Sequence, residues 1–101
     1  MKYRKLQADE IAAGLETLRE WKLSATGLGI EREYEFANFA EAFGFMSECA
    51  LFAERLNHHP EWRNVYSRVS VVLTSHDAQG LTELDFALAS LMETSALRRI
   101  N

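Results

Sequence analysis

A wide band of apolar residues between Asn38 and Pro60 constrains the fold more than any other feature of the sequence. Two apolar stripes at helical spacing lie side by side in this segment. One contains Phe39, Phe43, Met46, Ala50 and Ala53, and the other contains Ala42, Phe45, Cys49, Phe52 and Leu56. Because one face of a sheet rarely covers so wide a band, the helix is either central or meets a second subunit. Asn38 and Glu41 form a capping-box pattern at its start, and Pro60 ends the helical pattern.

The segments before this helix predict another helix followed by a hairpin. Apolar residues at spacings of three and four, separated by charged ones, predict an amphipathic helix over residues 8–20. Residues 21–26 are typical of a short strand, and a turn over 27–29 follows. From Ile30 to Phe36, apolar residues alternate with glutamates, which predicts a second strand with one solvated face.

The segments after Pro60 complete an α+β pattern. Residues 62–74 are extended, and Ser67 could allow a turn that divides them into two strands. Residues 77–80 form a loop, and Thr82 caps a last helix with Asp85 three residues later. The order α-β-β-α-β(β)-α fits helices packed on one face of an antiparallel sheet. We expect residues 1–101 to form one domain.

Composition excludes several classes of function. The net charge is −4 and no basic run occurs, so direct binding to nucleic acid is not indicated. No apolar run approaches the roughly 20 residues of a membrane-spanning helix. Cys49 is the single cysteine, which rules out an internal disulfide, and its apolar neighbours favour a buried structural thiol. We therefore expect a soluble cytoplasmic protein.

The three histidines of the chain are concentrated around Pro60. Glu54 and His58 are four residues apart, so on a helix the carboxylate would orient the imidazole. His59, held extended by Pro60, leaves the backbone in a different direction. His76 ends the strand pattern and approaches this corner if the strand runs back beside the helix end.

Spacing alone leaves three interpretations of this histidine cluster open. The histidines could be surface residues at a helix end, ligands of a metal ion, or an acid–base site that uses neutral and protonated imidazoles. Adjacent histidines rarely close on one ion, which makes the metal interpretation the least favoured. The chain also lacks a glycine-rich phosphate loop and a recognisable nucleophile elbow.

The wider motif resembles one known family. Its segments are Glu54-Arg55-Leu56-Asn57-His58-His59-Pro60-Glu61-Trp62, Leu73-Thr74-Ser75-His76 and Gly80-Leu81-Thr82-Glu83-Leu84-Asp85. They resemble the pterin-4a-carbinolamine dehydratases, whose vertebrate members also serve as dimerisation cofactors of a homeodomain transcription factor. The resemblance covers essentially the whole chain after the first helix. It implies three helices packed on one face of a four-stranded antiparallel sheet. It also implies a homodimer or homotetramer built partly on the long helix, which would account for the stripe around Phe45 and Phe52.

The resemblance further implies a reaction and roles for the histidines. The implied reaction is loss of water from 4a-hydroxytetrahydropterin to give quinonoid dihydropterin, which recycles the pterin used by an aromatic amino acid hydroxylase. It needs no metal and no organic cofactor. His58 and His76 are implied as the acid/base pair, and His59 as the residue that binds the pterin. Glu54 is expected to orient His58.

Five further residues carry expectations from the resemblance. Pro60 and Trp62 are expected to shape the pocket. Asp85 matches a family position near the site, although its place in the sequence equally indicates a helix cap. Asn57 stands where aspartate is also common and Ser75 where threonine is usual, so we expect altered rates and retained function.

An alternative function uses the same scaffold without catalysis. An oligomeric binding module could act as a coactivator or an assembly factor, with a hydroxylase or a transcription factor as its partner. Relatives that have become assembly factors tend to lose the histidine motif, which this chain retains. Dehydratase activity and retention of a stoichiometric protein partner are the observations that separate the two functions.

Overall fold

The computed structural model describes residues 3–100, which form three helices and four strands. The elements in chain order are α1 (Ala8–Thr17), β1 (Lys22–Leu23), β2 (Ile30–Glu35), α2 (Phe39–Leu56), β3 (Glu61–Val65), β4 (Arg68–Leu73), a single 3-10 turn (His76–Ala78) and α3 (Glu83–Ile100). The predicted order α-β-β-α-β-β-α is confirmed. In this part of the chain, no helix is both long enough and apolar enough to span a membrane.

All strand pairs of the sheet are antiparallel, and the strand order is β1-β2-β4-β3. Tyr34 of β2 lies opposite Val69 of β4, and Trp62 of β3 lies opposite Val71. The predicted turn near Ser67 forms, with Tyr66 in a left-handed conformation (φ 53°), so the extended segment is indeed two strands. β1 and β2 form the predicted hairpin, β3 and β4 form a second one, and β4 lies between β3 and β2.

The first helix and the first strand are both shorter than the sequence indicates. α1 ends at Thr17, and the backbone then turns, with the N–H of Trp21 donating to the carbonyl of Leu18. β1 pairs over only two residues. Beyond it, the Ser24 hydroxyl accepts a hydrogen bond from the N–H of Gly29, and the N–H of Ser24 donates to the carbonyl of Gly29, so both the side chain and the backbone of Ser24 close this loop.

The core lies between the sheet and the helices. Side chains on one face of the sheet alternate inward, so Ile30, Tyr34, Val69, Val71 and Leu73 are buried. Residues from α2 and α3 meet them, and the rings of Tyr34 and Phe45 lie 4.8 Å apart. The predicted burial of Cys49 is confirmed, since its exposed fraction is 0%, and Trp21 is likewise buried, at 3%.

The two apolar stripes of α2 have different environments. The stripe that contains Phe45 and Cys49 packs into the core of its own chain, so the expectation that this stripe meets another subunit is wrong. The other stripe carries the exposed rings of Phe39 and Phe43, which are 48% and 55% exposed. The inward face is fixed by α3, which packs against α2 and leaves the opposite side of the helix uncovered.

Candidate active site

The end of α2 sets the directions of the first two histidines. Asn57 adopts a left-handed conformation (φ 52°, ψ 46°), and its N–H donates to the carbonyls of Ala53 and Glu54. The N–H of His58 also donates to the carbonyl of Ala53, which completes a helix-ending motif in which asparagine is tolerated. The helix therefore ends at Asn57, before Pro60 can act on it, and Pro60 favours an extended backbone at His59.

The contact predicted between Glu54 and His58 is replaced by two other pairs. Because His58 follows the left-handed residue, it no longer lies on the helix face that carries Glu54. Oε1 of Glu54 lies instead 2.7 Å from Nε2 of His59, on the surface. Nε2 of His58 lies 2.5 Å from Oδ1 of Asp85, and only 11% of the His58 side chain is exposed.

Asp85 joins the start of α3 to His58. Its Oδ2 accepts hydrogen bonds from the N–H of Thr82 (2.9 Å) and the hydroxyl of Ser75 (2.8 Å). The Thr82 hydroxyl in turn accepts a hydrogen bond from the N–H of Leu84, so the helix is capped as its sequence predicts. The same carboxylate thus caps α3 with one oxygen and contacts His58 with the other, and the carboxylate is completely buried.

His76 begins the 3-10 turn that follows β4. Its Nε2 lies 2.8 Å from Oε2 of Glu61, the first residue of β3. Both side chains are largely exposed, 79% for His76 and 57% for Glu61. Ser75 and Gly80 form a bridge beneath the turn, which anchors the loop that carries His76. Each of the three histidines therefore faces a carboxylate of its own.

One cavity brings the three histidines together. It has a volume of about 500 Å³ and is lined by Tyr3, Leu56, Asn57, His58, His59, Thr74, Ser75, His76, Asp77, Ala78, Thr82 and Leu84. Asp85 lies behind His58, and Glu54 stands beside His59. Trp62 points inward from β3 and packs against the core. The structure thus gathers His58, His59, His76 and Ser75 around the cavity and places Trp62 in the packing beneath the sheet.

The contacts of the imidazoles define which nitrogen is available to a ligand. In all three rings Nε2 is the atom that faces a carboxylate. A neutral imidazole that donates from Nε2 keeps its acceptor lone pair on Nδ1, and a protonated one can donate from Nδ1. The arrangement can accept one proton and deliver another within a single cavity, which suits acid–base chemistry on a small ligand.

Other chemistries find less support in the side chains around this cavity. Among residues 3–100, no three His, Cys, Asp or Glu side chains come together in an arrangement that could hold a metal ion. Cys49 is enclosed between α2 and the core, and burial raises the pKa of its thiol to about 12. The thiol is therefore protonated near neutral pH and is a weak nucleophile.

Two residues of the site went unassigned at the sequence level. Glu61 belongs to the motif around Pro60, but its pairing with His76 depends on strand β3 lying beside β4. Thr82 is recognisable only as a helix cap, yet its hydroxyl lies 2.9 Å from Ser75 and its N–H holds Asp85. Its position directly before the predicted extended segment 62–74 was the available signal for Glu61.

Comparison with known proteins identifies the relatives of this chain. A family model described as pterin 4 alpha carbinolamine dehydratase matches residues 4–95. A relative from Rhizobium johnstonii, provisionally named a pterin-4-alpha-carbinolamine dehydratase, is 55% identical over 99% of both chains. A relative from Rhizobium rhizogenes with the same provisional name is 58% identical over 98% of both chains. A crystal structure of a transcriptional coactivator/pterin dehydratase from Brucella melitensis superposes with a TM-score of 0.90 at 42% identity, covering 92% of this chain and 99% of that one.

Proposed function

The chain belongs to the pterin-4a-carbinolamine dehydratase family, and we propose that it removes water from 4a-hydroxytetrahydropterin to give quinonoid dihydropterin. The observation that carries the proposal is the cavity of about 500 Å³ on which His58, His59 and His76 converge. Three imidazoles around one small cavity provide a proton donor, a proton acceptor and a further polar contact for a flat heterocycle.

The reaction requires two proton transfers. The substrate carries a hydroxyl group on C4a, next to N5, which bears a hydrogen. One imidazolium protonates the hydroxyl, the C4a–O bond breaks and water leaves. The electron pair of N5 forms the double bond to C4a, and a neutral imidazole takes the N5 proton. Charge and atoms balance without any other reactant. After the reaction the acid imidazole is neutral and the base imidazole is protonated, and proton exchange with solvent restores the starting state.

We assign these two transfers to His58 and His76, as the family resemblance implies. Their environments differ strongly, because His58 is largely enclosed and faces a buried carboxylate, whereas His76 is exposed on a surface turn. The two imidazoles therefore meet a ligand from unlike surroundings, which supports giving one the acid role and the other the base role. His59, paired with Glu54 at the rim, is assigned to binding of the pterin.

Dehydration of freshly generated 4a-hydroxytetrahydropterin, followed by ultraviolet absorbance against the spontaneous reaction, tests the proposal. We expect the parent protein to accelerate dehydration, and the double variant His58→Ala/His76→Ala to lose about 100-fold or more of the catalysed rate. His59→Ala is the matched histidine control, and we expect it mainly to raise KM. Circular dichroism establishes that each variant is folded. A double variant as fast as the parent would show that these two histidines do not carry the reaction.

We also propose that the chain forms a homo-oligomer through the exposed stripe of α2. The rings of Phe39 and Phe43 lie 5.7 Å apart on the uncovered side of the helix, and Leu51 on the same helix is 67% exposed. Exposed aromatic residues in a cluster are typical of protein interfaces. We expect light scattering to give the mass of an oligomer for the parent and a smaller mass for Phe43→Glu. Arg63→Glu, on the exposed face of the sheet, is the control.

A second candidate function is binding of a protein partner. It is favoured by the Brucella melitensis structure, which is described as a transcriptional coactivator as well as a pterin dehydratase. A transcription factor or an aromatic amino acid hydroxylase would be such a partner. Retention of a stoichiometric partner by a protein that is inactive in the dehydration assay would favour this function over catalysis.

A further inference from the structure

Tyr3 lines the cavity that holds the three histidines, although it lies more than 50 positions before them in the sequence. Among residues 3–100, it is the one aromatic residue other than histidine on the wall of this cavity. Tyr3 is half-buried and does not belong to the hydrophobic core of the described chain. On another side it borders a smaller cleft of about 330 Å³, which it shares with Arg4, Leu6 and Glu83. The ring therefore does not serve to fill the core.

Hydrogen bonds of the neighbouring residues fix the backbone that carries this tyrosine. Residues 3–6 run beside the segment that precedes α3, where the N–H of Leu6 donates to the carbonyl of Leu81 (2.8 Å). The guanidinium of Arg4 donates to both carboxylate oxygens of Glu10 in α1, at 2.9 and 2.5 Å. The tyrosine is thus held at the cavity by contacts to both α1 and the start of α3.

The cavity provides hydrogen bonds for the edges of a heterocycle and one aromatic surface for its face. A flat heterocycle donates and accepts in the plane of its ring, whereas its faces gain most from aromatic or apolar surface. Trp62, the aromatic residue expected to shape the pocket, packs against the core instead. From this arrangement, which rests on the proposed function, we propose that the phenol ring of Tyr3 stacks on one face of the bound pterin.

Stacking on Tyr3 favours the flat form of the ligand. In the substrate C4a is tetrahedral and its hydroxyl projects from one face of the ring, so the ring can stack only through the other face. C4a becomes planar as water leaves, and the ring system then presents a flatter surface than the substrate does. An aromatic wall binds the flatter form better, so the contact with Tyr3 strengthens toward the transition state and the product.

The experiment separates the ring of Tyr3 from its hydroxyl. Tyr3→Leu removes the ring and keeps an apolar side chain, whereas Tyr3→Phe keeps the ring and removes only the hydroxyl. The matched control is Tyr66→Leu, because Tyr66 is 68% exposed at the turn between β3 and β4 and does not line the cavity. Calorimetric titration with 6-methyl-7,8-dihydropterin, a stable and flat probe, gives the dissociation constant. The free energy of unfolding in urea and kcat/KM for dehydration are measured on the same proteins.

We expect Tyr3→Leu to raise the dissociation constant about 5- to 20-fold and to lower kcat/KM by a similar factor, with unchanged stability. Tyr3→Phe and Tyr66→Leu should both stay within about twofold of the parent. The proposal is overturned if Tyr3→Leu binds the probe as tightly as the parent, or if Tyr3→Phe binds it as weakly as Tyr3→Leu. A loss of stability in Tyr3→Leu that matches its loss of affinity would assign the ring to the fold and also overturn it.

The binding measurement keeps this proposal separate from the proposed function. If the parent does not accelerate dehydration but binds the probe in a way that depends on the ring of Tyr3, the proposed function fails and the stacking contact stands. If the parent accelerates dehydration and Tyr3→Leu matches it in both affinity and kcat/KM, the function stands and the contact fails. A parent that does not bind the probe overturns the contact.

Discussion

Nε2 of His58 lies 2.5 Å from Oδ1 of Asp85, although the two residues are 27 positions apart in the sequence. The carboxylate of Asp85 is fully buried, and its other oxygen is fixed by Thr82 and Ser75 at the start of α3. A carboxylate held in this way determines both the orientation of the imidazole and the nitrogen that carries its proton. The same carboxylate of Asp85 therefore both caps α3 and positions the imidazole of His58.

Asp85→Asn should disturb the tautomer of His58. The asparagine oxygen can still accept from Thr82, which turns its NH2 group toward Nε2 of His58 and moves the imidazole proton to Nδ1. We expect kcat to fall about 100-fold or more, and nitrogen NMR shifts of His58 should report protonation at Nδ1. Ser75→Ala, which removes a different hydrogen bond from the same carboxylate, is the control. A variant with the parental tautomer and the parental kcat would contradict this role.

Glu61 and Glu54 should act on different kinetic constants. Glu61→Gln removes the charge beside His76 and should lower kcat, whereas Glu54→Gln removes the charge beside His59 and should raise KM. Both pairs are exposed to solvent, so we expect changes of only about 2- to 5-fold. The contrast with Asp85 follows from burial, because solvent screens the two surface pairs. Steady-state kinetics of the two variants, each serving as the control for the other, test this separation.

The order of the elements could be predicted from the sequence because helical and strand periodicities are local. Alternation from Ile30 to Phe36 and the stripes of α2 each depend on neighbouring residues alone. The partners of the histidines are set at longer range. The left-handed turn at Asn57 moves His58 off the face that carries Glu54, and the packing of α3 then brings Asp85 to it. Which of the two stripes of α2 faces the core is likewise decided by the packing of α3 against α2, and the periodicity of the sequence does not show that packing.

Asn57 should be replaceable by glycine but not by alanine. Its left-handed backbone ends α2 and directs His58 toward α3, and a Cβ without a polar group is unfavourable in this conformation. We expect Asn57→Ala to lower the free energy of unfolding by about 1 kcal/mol and Asn57→Gly to change it little. Urea denaturation measures both. Equal stability of the two variants would indicate that backbone strain at this position is unimportant.

A second, partly buried carboxylate lies away from the histidines, against β2 and the segment before β1. Oε1 of Glu93 in α3 accepts hydrogen bonds from Nε1 of Trp21 (2.9 Å), Nε of Arg32 (3.0 Å) and the hydroxyl of Tyr34 (2.5 Å). Burial by itself would raise the pKa of Glu93, but the hydrogen bonds from Tyr34, Arg32 and Trp21 outweigh it and hold the pKa below its ordinary value. Glu93 thus ties β2 and the segment before β1 to α3.

The lowered pKa of Glu93 gives its contribution to stability a defined pH dependence. A carboxyl group whose pKa is lower in the folded state stabilises the fold above its unfolded value of 4.5, and this contribution disappears as the pH falls through the folded pKa. We expect Glu93→Gln to lower the free energy of unfolding by about 1–3 kcal/mol near neutral pH, because three donors lose a charged acceptor. The difference from the parent should shrink progressively in acid, below the pKa of the unfolded state.

Glu33→Gln, at an exposed ion pair with Arg68, is the control and should change stability by less than about 0.5 kcal/mol at any pH. Urea denaturation of the three proteins across this pH range measures the difference, and a constant gap between Glu93→Gln and the parent would mean that the charge of Glu93 is not what stabilises the cluster.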